Sequence, residues 1–204
     1  MFNGGNSIMK YINNMKMVEL ENESDSLKIQ KKRVQYDIFT DGSEIKEKGT
    51  YKTLGLGWAF VVKLNKETVH TVNGTISQGN NQRVELLAIF KALEHLQTVT
   101  LDSTTEFDII IHSDSDYSIK SLTLWSLNWV RNNWMTSNKK QVKHRDIIEP
   151  SLHMIRDLKK YNNLVFNQLK AHSNYPASKE SREFVIEYLT KHKLKFNKSN
   201  NDLV

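Results

Sequence analysis

The sequence predicts an α/β fold: a five-stranded mixed sheet, three antiparallel strands followed by two parallel ones, flanked by helices. Three observations predict it. Residues 34–76 carry three stretches rich in β-favouring residues, separated by turn residues. Residues 82–97, QRVELLAIFKALEHLQ, then hold a segment of helical length. Residues 107–112, FDIIIH, form a near-continuous apolar run, the pattern of a central strand buried on both faces.

Taken in order, VQYDIFTDGS places Val34, Tyr36, Ile38 and Thr40 on one side of a strand, which Asp41-Gly42-Ser43 closes with turn residues. LGLGWAFVVKL and ETVHTVNGTI read as two further strands about a turn at Asn65. Asn80 and Asn81 are suited to cap the helix that follows. After the central strand, two short helices are expected across 117–134, then a polar, basic loop through Lys143. A helix over 145–160, a strand at LVFNQLK and a final helix over 178–192 complete the order. A strand–helix–strand crossover into Phe107–His112 is expected to be right-handed. Domain organisation follows: an extension over 1–33 without strong periodicity, a folded domain over 34–192, and a Lys/Asn-rich tail over 193–204.

With 204 residues, 38% hydrophobic and 25% charged, the chain is sized for one core plus tails. Nothing approaches the roughly 18 apolar residues of a membrane span, and the opening MFNGGNSIMKYINN lacks the apolar run of a secretory signal. An intracellular protein, without a membrane and acting as a monomer, is the expectation. Cysteine is absent, which excludes disulfides, thiol catalysis and cysteine-ligated zinc. A net charge of +6 suits a polyanionic partner, because Lys and Arg displace counterions from phosphates.

Three carboxylates stand where a core would not choose them. Asp41 ends the first strand, Asp114 follows the central one, and Glu85 interrupts the apolar run VELLAIF. Each alone has an ordinary explanation: a turn residue, a helix cap, or a partner for the helix dipole. Together they point to chemistry. In open α/β sheets the carboxyl ends of neighbouring strands line the functional crevice. If the first and fourth strands are adjacent and parallel, Asp41 and Asp114 meet there, and a helix across the sheet can deliver Glu85. Converging carboxylates repel unless a cation neutralises them, and an all-oxygen set suits Mg²⁺ or Mn²⁺. Two such ions, about 4 Å apart, support phosphodiester hydrolysis.

Thr40-Asp41-Gly42-Ser43, Asn80-Asn81-Gln82-Arg83-Val84-Glu85 and Ser113-Asp114-Ser115-Asp116-Tyr117 resemble the three catalytic blocks of type 1 ribonucleases H. Glu85 lies 44 positions after Asp41, and Asp114 lies 29 after Glu85, spacings that fit that family's fold. The stretch LTLWSLNWVRNNWMTSNKKQVKHRD is similar to the family's tryptophan-bearing helices and basic protrusion, and LKAHSNYP to its mobile-histidine loop. The resemblance spans about residues 34–192. It implies the RNase H-like fold and an endonuclease that cuts the RNA strand of RNA–DNA hybrids, using two Mg²⁺ ions with Mn²⁺ as a substitute.

The resemblance also implies residue roles. Asp41, Glu85 and Asp114 would hold metal, and His172 would move protons or release product. Asn81 and Gln82 would contact ribose 2′-hydroxyls, the group that marks RNA. Trp129 would stack beside the DNA backbone, while Trp125 and Trp134 read as helix packing. Arg131, Lys139, Lys140 and Lys143 would grip phosphates, and Asn80 and His144 would help bind a DNA phosphate.

The pattern departs at the fourth carboxylate. The family's aspartate falls ten positions after the histidine, where this chain has Arg182, with Glu183 next to it and Glu180 two before. Glu183 takes the slot, as catalyst and metal ligand, if the loop holds one extra residue. Asp116 also replaces a usually neutral residue. A hybrid- or double-stranded-RNA-binding module with weakened catalysis is the alternative, and a resolvase- or transposase-like nuclease of the same fold is a further rival.

Overall fold

In the computed structural model, residues 33–46, 53–100 and 105–170 are described. Five strands form one sheet in the order β3-β2-β1-β4-β5. They are β1 (Val34–Lys46), β2 (Thr53–Leu64), β3 (Glu67–Ile76), β4 (Phe107–Ser113) and β5 (Asn163–Gln168). β1 pairs antiparallel with β2, and β2 with β3; β4 runs parallel to both β1 and β5. The mixed sheet read from the sequence is therefore the observed one. The β2–β3 hairpin turns on Asn65 and Lys66, both left-handed (φ 48° and 75°), as a tight two-residue turn requires.

Helix α1 (Asn81–Thr100) packs on one face of this sheet and against α4 (Arg145–Leu158). Its apolar stripe, including Leu86, Ile89, Leu93 and Leu96, is buried with Tyr36 and Ile38 of β1, Phe60 and Val62 of β2, and Ile109 and Ile111 of β4. Ile148 of α4 joins the same core. On the other face, Phe39 and Val61 form a second small cluster with Leu169. The two faces thus follow the strand alternation of β1: even-numbered residues towards α1, odd-numbered ones away.

Two local expectations change. β1 does not stop at Asp41: it runs on to Lys46, because Asp41, Gly42 and Ser43 pair with Ala59, Trp58 and Gly57 of β2. What ends near that point is pairing with β4, whose last partners are Phe39 and His112. Pairing with a neighbouring strand overrides the turn preference of Asp-Gly-Ser. The two short helices expected across 117–134 are instead one continuous helical stretch. It comprises α2 (Asp116–Lys120), a π-helical turn (Ser121–Trp125) and α3 (Ser126–Arg131). Among the described residues no helix is long and apolar enough to cross a membrane. The expected extension over 1–33 (except Arg33), final helix over 178–192 and tail lie outside the described residues.

Candidate active site

The site is assembled where β1 and β4 diverge. Asp41 sits on β1 just past the last β1–β4 pair, and Asp114 is the first residue beyond β4. Glu85 arrives from the second turn of α1, and Gly42 lets it come close. A Cβ on Gly42 would fall 2.3 Å from the Glu85 backbone nitrogen and 2.5 Å from the Val84 carbonyl carbon. Only glycine allows helix and strand backbones to meet at that distance. The Gly42 N–H then donates to Glu85 Oε2 at 3.3 Å, and the Asn81 side-chain amide donates to Oε1 at 3.4 Å.

Asp41, Glu85 and Asp114 each offer one carboxylate oxygen, and these oxygens lie within 4.8 Å of one another. Asp41 and Glu85 are buried, at 4% and 8% exposure; Asp114 is half-buried. Two buried carboxylates beside a third are costly while all remain ionised and uncompensated. The donor set is all oxygen, without histidine or sulfur, and therefore fits a hard divalent cation. The three residues open into a cleft of about 500 Å³, also lined by Ser43, Glu44, Ser115, Asp116 and Tyr117. Past Asp114, Ser115 caps α2 by accepting from Ser118 N, which sets the path of the chain out of the site.

Of the other predicted site residues, Asn81 lines the cleft itself. Asn80, Asn81 and Gln82 are exposed at the N-terminal end of α1. Asn80 Oδ1 accepts from Arg83 N at 3.0 Å, so Asn80 is the helix cap, while Asn81 is already helical. Arg83 forms a two-pronged ion pair with Asp146, joining the start of α1 to α4. His144 stands before α4 in the left-handed conformation (φ 57°), its ring edge-on to Tyr117 at 6.0 Å. Burial, then the charge on Arg83, holds its pKa below the ordinary histidine value.

Trp129 is half-buried against the core, 5.8 Å from Trp125. Trp134 is buried, with the Arg145 guanidinium 4.9 Å above its ring. Arg131, Lys139, Lys140 and Lys143 are exposed. His172, Arg182 and Glu183 lie outside the described residues. Glu44 escaped the sequence reading; the signal for it is that β1 continues beyond Asp41. A larger cleft, about 970 Å³, lies at the opposite end of the sheet near Arg33, Glu106 and Tyr161. Arg33 is engaged there by Glu106 at 2.8 Å and Asp108 at 3.5 Å, and among the described residues no comparable set of ligands converges in it.

Fold and site together define an α/β domain with a hard-cation pocket at the carboxyl ends of adjacent parallel strands. The sequence model of the family described as RNase H matches residues 33–184. The chain belongs to the RNase H family. The ribonuclease H of Treponema denticola (strain ATCC 35405) is 32% identical over 120 residues, 54% of this chain and 72% of that protein. The ribonuclease H of Actinobacillus succinogenes (strain ATCC 55618) is 36% identical over 115 residues, 56% of this chain and 66% of that protein. The solution structure of the PFV RNase H domain superposes with a TM-score of 0.60. That alignment covers 80% of this chain and 96% of the domain at 17% identity, which bears on the fold alone. The enzyme class expected from the sequence motifs, ribonuclease H, is the one these relatives carry.

Proposed function

We propose that this chain is a metal-dependent ribonuclease H that hydrolyses the RNA strand of RNA–DNA hybrids, leaving 5′-phosphate and 3′-hydroxyl ends. The observation that carries the reading is the convergence of Asp41, Glu85 and Asp114 oxygens within 4.8 Å. Those three side chains would hold the cations, with Mg²⁺ the natural occupant and Mn²⁺ its substitute. Bound divalent ions supply Lewis acidity, easing deprotonation of the attacking water and stabilising the leaving oxygen.

The chain's own groups do the rest. Glu85 is kept in place by the Gly42 N–H and the Asn81 amide. Asn81 and Gln82, exposed at the start of α1, would recognise ribose 2′-hydroxyls. Asn80, His144, Arg131, Lys139, Lys140 and Lys143 line an outer route for phosphates, with Trp129 against the DNA sugar–phosphate backbone. Recognition of this kind reads backbone shape and charge, so binding is largely independent of sequence. His172 assists proton movement or product release. Glu183 is the candidate fourth carboxylate, in place of the aspartate that the family pattern puts where this chain has Arg182. That arginine is also the feature that favours a second reading, a hybrid-binding module with weakened catalysis.

Cleavage of an end-labelled hybrid in Mg²⁺ and in Mn²⁺ tests both readings. The proposed enzyme cuts RNA only and loses activity in Asp41→Asn. Loss in Glu183→Gln would place the fourth ligand, whereas a gain in Arg182→Asp would show a degraded slot. Tight hybrid binding without cutting in either metal would leave the binding module.

A further inference from the structure

Behind the acidic pocket, on the sheet face away from α1, a polar row crosses the three parallel strands. His112 of β4 bonds through Nε2 to Asp37 Oδ1 of β1 at 2.8 Å. Its Nδ1 meets the Asn167 side-chain amide of β5 at 2.9 Å. An amide N–H can only donate, so Nδ1 accepts, and the proton sits on Nε2, where it is donated to Asp37. The imidazole also stacks on Phe39, with ring centroids 4.3 Å apart and planes 7° from parallel. His112 is 6% exposed, so these directional contacts operate largely out of water, where misplacing a partner is costly.

The row lies where the active-site strands separate. Phe39 and His112 are the last β1–β4 partners, and His112 pairs across to Asn167. Asp41 lies two residues beyond Phe39, and Asp114 two beyond His112. The end of β4 is held again by Thr40 Oγ1, which donates to the His112 carbonyl at 3.2 Å, and by Leu169 N–H, which donates to the Ser113 carbonyl at 2.9 Å. Backbone pairing between β1 and β4 goes no further than Phe39 and His112, so the side-chain links brace the two strands at the last paired position before the aspartates emerge.

We infer that His112 is a positioning residue for the acidic pocket. Through Asp37 on one side and Asn167 on the other, it locks β1, β4 and β5 in the relative placement that brings Asp41 and Asp114 together. This rests on the metal-centre reading above. His112 touches neither substrate nor cation; it acts through the strand ends that carry the carboxylates.

The test is calorimetric titration of the full chain with Mn²⁺ alone, with thermal melting to establish folding and steady-state hybrid cleavage alongside. His112→Phe keeps an aromatic ring over Phe39 and removes both hydrogen bonds. The folded variant is expected to bind Mn²⁺ roughly tenfold more weakly, the scale of lost outer support at metal sites. Its kcat falls, whereas KM for the hybrid changes little. Asp37→Leu should behave alike, with the double variant no worse than either single one. Asn167→Leu, at an exposed position, decides the matter if His112→Phe does not fold, and should weaken Mn²⁺ binding in the same direction. Wild-type Mn²⁺ affinity in a folded His112→Phe, or in Asn167→Leu, would overturn the inference. A wild-type chain that binds no Mn²⁺ would instead overturn the metal-centre reading, and this inference with it.

Discussion

Gly42 and Glu85 touch backbone to backbone: a methyl group on Gly42 would lie 2.3 Å from the Glu85 nitrogen. That contact seats the first turns of α1 on β1 and brings the Glu85 carboxylate beside Asp41. Gly42→Ala must push the helix away from the strand. A stability loss of about 1–3 kcal/mol, the usual cost of forcing atoms into a packed contact, is expected by denaturant titration. Hybrid cleavage should fall much further than stability does, because Glu85 moves with the helix. A variant that loses both in proportion would show that the contact matters for folding alone.

Asp41→Asn separates the acidic cluster's cost from its use. Removing one of three neighbouring carboxylates relieves repulsion, so in EDTA the variant should be more stable than wild type by about 1–2 kcal/mol. Added Mg²⁺ should raise the wild-type melting temperature, since a ligand that binds only the folded state stabilises it. The variant should show little or no such rise. Equal Mg²⁺ responses in both proteins would place the cation elsewhere.

His95 sets an acid limit on stability. Burial first, and the neighbouring His70 second, lower its pKa to about 4; the rings stack 4.8 Å apart. The unfolded chain binds this proton near the ordinary value of about 6.5, the folded chain only near 4. The stabilisation is therefore complete above pH 6.5 and is lost as pH falls from there towards 4. Over that window the loss is on the order of 3 kcal/mol. His95→Leu should flatten the wild-type slope between pH 6.5 and 4 in urea-unfolding series; an unchanged slope would assign the acid sensitivity to other groups.

Lys66→Gly is expected to stabilise the protein. Lys66 holds φ 75° in the β2–β3 turn, where a side chain costs about 1 kcal/mol and glycine almost nothing. With Asn65 before it, the substitution gives the turn an Asn-Gly pair, the preferred chemistry of a two-residue hairpin. Part of the gain is offset by the freer unfolded chain, leaving about 0.5 kcal/mol, readable as a higher melting temperature with unchanged cleavage.

The succession of strands and helices along the chain and the three carboxylates were legible because both rest on local signals. Alternation in VQYDIF, an unbroken apolar run in FDIII and an interrupting Glu85 are written within a few residues of one another. The Asn80 cap was equally local, and its side chain does accept from Arg83 N. Turn chemistry misled at Asp41-Gly42-Ser43, because pairing with Trp58 and its neighbours satisfies the backbone of β1 as far as Lys46. The π-helical turn at Ser121–Trp125 carried no periodic signature that separates it from α-helix.

By itself, the sequence determined the layers of the fold, the family, and which acidic residues stand out, since hydrophobic period and motif spacing are properties of neighbouring positions. Only the tertiary structure decided that three carboxylate oxygens lie within 4.8 Å, that Gly42 rests on the backbone of α1, and that Asp37 meets His112 across 75 positions. Such contacts join residues distant along the chain. They form because sheet register and the seating of α1 place those residues side by side, which no local pattern records.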